Sequence, residues 1–175
     1  MPSVLFICTA NRFRSPLAAA MLTQALHELG ITASWRVGSA GTWATPGEPA
    51  LPPVAEIAHR FGIDLSGHRS RRVSRRLLAE HDLILVMQAS QQEALLSEFP
   101  HLEEYIYLFS HVVERGSYDI PDSFESEQEV LEVAAEMDEL IRRGLRYIVV
   151  LAVALHNQRE RVEEWKRANR SINAS

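Results

Sequence analysis

Cys8 and Arg14 stand near the start of the chain with five residues between them. The apolar run at residues 4–7 predicts a buried strand ending at Cys8. Strong helix formers follow Ser15 and Pro16, which we expect to cap that helix and fill its first turn. A loop at such a junction directs N–H groups at an anion and favours the thiolate form of Cys8, while Arg14 adds donors that suit phosphate oxygens. The pattern indicates a thiolate nucleophile in a phosphate cradle; the alternative is a buried cysteine at a strand end.

The composition narrows the class of protein. The 175 residues suffice for one domain with its own core, and the hydrophobic and charged fractions, 46% and 23%, are typical of soluble proteins. The formal net charge of −5 gives no indication of a nucleic-acid or membrane binder. The single cysteine and the absence of a signal-peptide pattern predict a cytoplasmic protein. The apolar run at residues 145–155 is shorter than the roughly 20 residues that a membrane-spanning helix needs.

Strand and helix patterns alternate along the chain, which predicts a parallel sheet wound by right-handed crossovers. We expect an α/β flavodoxin-like three-layer sandwich, with a four-stranded parallel sheet of order 2-1-3-4 and helices on both faces. This order puts the Cys8 loop at the switch point of the sheet. The predicted strands are residues 4–7, 34–39, 82–87 and 105–109, and the predicted helices are residues 17–29, 53–61, 74–80, 90–99 and a long one from 130 through 155.

Two loops carry further candidates. Trp43 lies in a loop rich in glycine and proline after the second strand, where it is more suited to the rim of a substrate site than to the core. Asp119 and Asp122 lie in a turn-rich loop at residues 117–125, and the residues alone rank them almost equally as acids. We expect most of the arginines at residues 69–76 to lie on a solvated helix face.

The segment from Cys8 to Pro16 resembles the phosphate-binding loop of the low-molecular-weight protein tyrosine phosphatases, which read Cys-x-Gly-Asn-x-x-Arg-Ser-Pro after a first strand. The likeness covers about residues 3–143. It includes Ser-Ala-Gly-Thr at residues 39–42, His-Arg-Ser-Arg at residues 68–71 and the acid loop Asp-Ile-Pro-Asp-Ser-Phe at residues 119–124. These motifs occur in the family's order, so chance is a poor explanation.

The resemblance implies a phosphotyrosine phosphatase that acts without a metal or other cofactor. By that likeness Cys8 attacks phosphorus, Arg14 holds the phosphoryl oxygens and Asp122 is the general acid. Ser15 donates to the thiolate, and a polar network of Asn11, Ser39 and His68 holds the loop, with Asn11 in a strained conformation. The expected phosphate-binding residues are Thr9, Ala10, Asn11, Arg12, Phe13 and Ser15.

Four positions depart from the family pattern. Ala10 replaces glycine, Ser123 replaces proline after the acid, and Phe13 stands where many relatives have a second cysteine. Arg12 matches neither the isoleucine of many relatives nor the threonine that accompanies phosphoarginine specificity in some. An arsenate reductase using an external thiol, a phosphoarginine phosphatase and a non-catalytic phosphate-binding module therefore remain alternatives.

We expect two parts in the chain: a phosphatase domain at residues 1–145 and a C-terminal helical extension at residues 146–175. The extension carries apolar residues at helical spacing and offers a surface for a homodimer. The expected partners are a phosphotyrosine-containing protein or peptide and, in the Cys8 loop, inorganic phosphate or another oxyanion. Nucleic acid and membrane are not expected partners.

Overall fold

A computed structural model describes residues 1–114 and 116–172 of the chain. Its four strands form one parallel sheet of order β2-β1-β3-β4, which confirms the predicted topology. The strands are Ser3–Cys8 (β1), Arg36–Gly41 (β2), Leu83–Val86 (β3) and Ile106–Leu108 (β4). Because β1 lies at the centre, its carboxyl end falls where the strand order reverses, the place where open α/β sheets bind ligands.

Six α-helices of the described chain cover the two faces of this sheet. They are Arg14–Glu28 (α1), Pro52–Arg60 (α2), Arg75–Ala79 (α3), Ala89–Glu98 (α4), Phe109–Glu114 (α5) and Glu127–Ile172 (α6). Short 3-10 turns at Thr32–Ser34 and Pro100–Tyr105 complete the connections. None of these helices is both long enough and apolar enough to cross a membrane.

The two central strands are apolar throughout because both faces of the sheet are covered. Every residue of β1 and β3 is buried. Phe6 and Leu85 face a core shared with α1, α2, α5 and α6, whereas Ile7 and Val86 face a smaller core shared with α3 and α4. Alternation along β1 thus builds both cores and leaves Cys8 at the carboxyl end of this central strand.

Three local predictions are corrected. Ser15 does not cap α1: the helix begins at Arg14 after Phe13, which makes no side-chain cap bond. The second strand starts at Arg36 because the residues before it form a 3-10 turn. The fourth strand ends at Leu108, and Phe109 instead begins α5, a helix of six residues that is too short to show its period in the sequence.

The long helix predicted from residue 130 is one continuous element, α6, that extends to Ile172. Its residues Ile148, Ala152 and Leu155 are buried in the larger core. The helix is therefore packed well past residue 145, where we divide the chain into a domain and an extension. That division stays a prediction, and residues 173–175 of the expected extension lie outside the described part.

Candidate active site

Cys8 ends β1 and is buried beneath the loop that leads into α1. Its Sγ lies 3.0 Å from the Ser15 hydroxyl and accepts a hydrogen bond from the backbone N–H of Asn11 at 3.3 Å. The Ser15 hydroxyl is also 3.1 Å from the carbonyl oxygen of Ala40 on the neighbouring strand. The chain thus turns from strand to helix around the sulfur, with N–H groups and the positive end of α1 directed toward it.

Asn11 holds this loop through both its side chain and its backbone. Its φ of 57° makes it the single non-glycine residue with positive φ in the described chain, so Ala10 keeps an ordinary backbone conformation. The Asn11 amide donates to the hydroxyls of Ser15 and Ser39, each at 2.9 Å. The expected polar network therefore forms, and a residue that tolerates positive φ occupies its centre.

Two residues from the loop before α3 complete the network. The backbone N–H of Arg71 donates to Asn11 Oδ1 at 2.9 Å, and the Arg71 Nε donates to the Ser39 carbonyl. His68 Nε2 lies 2.7 Å from the Asn11 carbonyl oxygen and must donate to it, since a carbonyl can only accept. Burial, the main cause, lowers the pKa of His68, so the ring is neutral near pH 7. The sequence reading missed Arg71, which it grouped with solvated arginines.

Gly41 allows the loop to pack directly on β2. A Cβ at this position would lie 2.4 Å from the Thr9 carbonyl oxygen and 2.9 Å from the Asn11 nitrogen, closer than real contacts allow. Just beyond it, the N–H groups of Thr42 and Trp43 donate to the carbonyls of Cys8 and Thr9. Any larger residue at Gly41 would displace the loop that surrounds the sulfur.

Arg14 is 1% exposed, yet its guanidinium is only partly satisfied by the protein. Nη1 donates to the Ile120 carbonyl at 2.9 Å, and Nη2 lies 2.5 Å from Asp122 Oδ2 in an ion pair whose angles are poor for a hydrogen bond. Nε has no hydrogen-bond partner in the described chain. A buried charge with unused donors is costly unless an anion satisfies it, so Arg14 is suited to bind one.

The structure separates the two candidate acids. The Asp122 carboxylate reaches Arg14 and lines the cavity above Cys8. The Asp119 carboxylate points elsewhere and accepts a hydrogen bond from the N–H of Ala89, at the start of α4. Only Asp122 can therefore meet a group held at the sulfur.

The cavity above Cys8 has a volume of about 320 Å³ and mostly apolar walls. Phe13, Leu51 and Phe124 supply these walls, while Ala10, Arg12 and Asp122 complete the lining. The N–H of Leu51 donates to the Arg12 carbonyl, which ties the wall to the loop. Nothing in the sequence pattern pointed to Leu51. Phe124 appeared only as part of the resemblance, without a role.

Of the other predicted site residues, Arg12 lines this cavity, whereas Thr9 and Trp43 do not. The Arg12 Nε donates to the Pro49 carbonyl at 2.8 Å, and its Nη1 lies 3.8 Å from Glu48. Thr9 accepts a hydrogen bond from the side chain of Gln91 at 3.2 Å. Trp43 is 77% exposed and lines a neighbouring cavity rather than the one above Cys8. Its place on the substrate rim stays a prediction.

No cluster of three or more histidine, cysteine, aspartate or glutamate side chains in the described chain has the arrangement of a metal site.

A strand-to-helix loop around a cysteine, with a buried arginine and an opposing carboxylate, has the parts of a cysteine-dependent phosphatase. The family model for the low molecular weight phosphotyrosine protein phosphatases matches residues 3–158. The chain belongs to this family, whose members are phosphatases.

Individual relatives agree with this membership. The chain is 33% identical over 143 residues to a probable low molecular weight protein-tyrosine-phosphatase, EpsP, of Ralstonia nicotianae, covering 82% of this chain and 90% of that one. A crystal structure of the low molecular weight protein tyrosine phosphatase from T. tengcongensis superposes with a TM-score of 0.78 at 30% identity, covering 83% and 99%. The YwlE arginine phosphatase from Geobacillus stearothermophilus gives 0.74 at 26% identity, covering 93% and 97%.

Proposed function

We propose that this chain hydrolyses phosphotyrosine in proteins or peptides through a phosphocysteine at Cys8. The observation that carries the proposal is that Cys8 and Asp122 line one cavity, with the buried guanidinium of Arg14 beside them. The Cys8 thiolate attacks phosphorus, the bond to the phenolic oxygen breaks, and Asp122 gives its proton to that oxygen. Asp122 then takes a proton from water, which attacks phosphorus and releases phosphate and the thiolate.

Arg14 and the loop N–H groups stabilise the transferring phosphoryl group in this proposal. Phosphoryl transfer through a loose transition state needs mainly positioning and charge stabilisation, because little covalent chemistry falls to the protein. The free Nε donor of Arg14 and the N–H groups from Thr9 to Ser15 supply donors for three equatorial oxygens. The same donors bind the product, inorganic phosphate, or another oxyanion of its shape.

Ser15 and Asn11 stabilise the sulfur of Cys8 as a thiolate. The Ser15 hydroxyl accepts a hydrogen bond from the Asn11 amide, and its single proton has two acceptors within reach, the sulfur at 3.0 Å and the Ala40 carbonyl at 3.1 Å; a charged sulfur is the stronger acceptor. The backbone N–H of Asn11 is a second donor to that sulfur. Both contacts favour the charged nucleophile over the thiol.

The walls of the cavity favour an aromatic substrate. Phe13, Leu51 and Phe124 offer apolar surface for the ring of phosphotyrosine. Phosphoserine lacks that ring and would gain none of this contact. Protonation by Asp122 assists the departure of the tyrosyl oxygen, since a phenolate with a pKa of about 10 is a poor leaving group without it.

Phosphoarginine is the main alternative substrate, because a structural relative is named an arginine phosphatase. Arg12 argues against it in this chain. Its guanidinium is anchored to Pro49 at the edge of the cavity, where it would repel the positive charge that phosphoarginine keeps beside its phosphorus.

Steady-state hydrolysis of matched phosphotyrosine, phosphoarginine and phosphoserine peptides tests the proposal. We expect kcat/KM to be highest for phosphotyrosine and activity to disappear in Cys8→Ser, which preserves the shape of the side chain. Activity that survives in Cys8→Ser would refute the phosphocysteine route. A higher kcat/KM for phosphoarginine would reassign the substrate while leaving the nucleophile intact.

We also propose that the protein forms a homodimer through α6. Tyr147, Val150, Val162 and Trp165 are exposed, and their spacing puts them on one face of the helix. Sedimentation of the full chain and of a truncation after Leu155, where core packing ends, tests this. We expect a dimer that becomes a monomer on truncation; a monomer in both cases would refute the proposal.

We further propose that the protein acts in the cytoplasm. Its single cysteine is the proposed nucleophile, and a reducing compartment protects such a thiol from oxidation. Fractionation of cells, with detection of the native chain, tests this. Recovery of the chain outside the cytoplasmic fraction would refute it.

A further inference from the structure

A second cavity, which we call the arginine cavity, opens beside the catalytic loop. Its volume of about 690 Å³ exceeds that of the cavity above Cys8. It lies between the loop after β2, the residues leading into α3, and the second half of α4. Its lining includes the side chains of Trp43, Arg72, Arg75 and Glu98.

Two backbone hydrogen bonds join the arginine cavity to the loop that begins at the nucleophile Cys8. Its wall residues Thr42 and Trp43 donate their backbone N–H groups to the carbonyls of Cys8 and Thr9, at 3.0 and 2.9 Å. An extended peptide advances about 3.3 Å per residue, so a few residues beside a phosphotyrosine held at Cys8 would reach this cavity. Trp43, whose N–H makes the second of these bonds, has a side chain that is 77% exposed.

The cavity concentrates positive charge without acidic partners. Arg72 and Arg75 form no ion pair with any carboxylate in the described chain, whereas the adjacent Arg76 pairs with Glu80 at 2.7 Å. The Arg72 guanidinium instead lies 5.4 Å from the centre of the Trp43 ring, a cation–π contact that leaves its outer donors available. The chain as a whole carries a net charge of −5, so this patch is local.

We propose that the arginine cavity binds an acidic segment of the phosphoprotein substrate, with glutamate or aspartate side chains paired to Arg72 and Arg75. Opposite charge supports this occupant, and the route past Trp43 connects the segment to the phosphotyrosine at Cys8. Glu98 lines the same cavity from α4, and its negative charge disfavours a segment with many acidic residues. The inference rests on the proposed function and adds the class of sequence that the enzyme prefers.

The test compares phosphotyrosine peptides that differ only by glutamate or glutamine at positions two to four residues from the phosphotyrosine, on either side. At low salt we expect kcat/KM to favour the acidic peptide by about 2- to 30-fold, the range that two exposed charge pairs provide. Arg72→Gln/Arg75→Gln should abolish this preference, and Glu98→Gln should increase it. Arg76→Gln, next along α3, is the matched control and should leave it unchanged. High salt should weaken it.

Hydrolysis of p-nitrophenyl phosphate, too small to reach the arginine cavity, should stay unchanged in all these variants. No preference in the wild type, or equal loss in Arg76→Gln, would overturn the inference. Loss of preference in Arg12→Ile but not in the double variant would move acid recognition to the cavity above Cys8 and also overturn it. A wild type that hydrolyses no aryl phosphate would instead refute the proposed function.

Discussion

Replacing Asp122 by asparagine removes one proton donor while preserving the size of the side chain. The carboxylate lies 2.5 Å from Arg14 and shares the cavity with Cys8, so the lost proton is the one that a phenolate leaving group needs. General acid catalysis contributes about 10²–10⁴-fold, which corresponds to about 2.7–5.4 kcal/mol of barrier. We expect kcat for a phosphotyrosine peptide to fall by that factor.

Two further readouts distinguish lost catalysis from a damaged site. Inorganic phosphate should inhibit Asp122→Asn at least as well as wild type, because the carboxylate no longer competes for Arg14. The loss should also shrink for p-nitrophenyl phosphate, whose phenol is more acidic than tyrosine and needs less protonation.

Asp119→Asn is the matched control from the same loop. Asp119 accepts a hydrogen bond from the Ala89 N–H, and asparagine retains an oxygen that can accept it. We expect kcat within about twofold of wild type and a stability change below about 1 kcal/mol. Equal damage in both variants, or the reverse order, would refute the assignment of Asp122 as the acid.

Three other predictions follow from the site. Arg12→Thr should raise severalfold the ratio of kcat/KM for phosphoarginine to kcat/KM for phosphotyrosine, since it removes a cation near the substrate. An unchanged ratio would exclude Arg12 as a determinant of this specificity. Peroxide should inactivate the enzyme by oxidising Cys8, and bound phosphate should protect it. Dithiothreitol added late should restore little activity, because the chain has no second cysteine to form a reversible disulfide. Full recovery would contradict this. Burial lowers the pKa of His68 and of His81, a buried residue shortly before β3 whose Nδ1 lies 2.9 Å from the Leu77 carbonyl oxygen. Each therefore binds fewer protons folded than unfolded, and the free energy of unfolding should fall as pH drops below about 6.5. Urea unfolding at several pH values tests this, and His81→Gln should reduce the slope of the unfolding free energy against pH.

The sheet could be predicted because its signals are local and repeated. Each buried strand is a short apolar run followed by a helical pattern, and right-handed crossovers leave few topologies. The short α5 could not be predicted, since six residues do not reveal a helical period. The supposed cap at Ser15 failed for another reason: the sulfur of Cys8 and the carbonyl of Ala40 use that hydroxyl instead.

The sequence alone predicted those site residues that lie close together along the chain. Cys8 and Arg14 belong to one loop, so their spacing indicated a phosphate cradle. Asp119 and Asp122 share a turn-rich loop, and only the folded chain reveals which carboxylate reaches Arg14. Leu51 comes from a distant loop that carries no motif, and Arg71 belongs to the His-Arg-Ser-Arg motif without any sign in the sequence of its contact with Asn11, which is why sequence reasoning missed their roles.

The phosphocysteine itself gives the most direct test of the account. Asp122→Asn with p-nitrophenyl phosphate should accumulate it, because the acidic phenol leaves readily while the second step lacks its base. Mass spectrometry of the acid-quenched enzyme should then find one phosphoryl group on the peptide that contains Cys8, and none in Cys8→Ala, which has no nucleophilic side-chain atom. Turnover with no phosphorylated Cys8 peptide, or a phosphoryl group on another residue, would contradict the central claim.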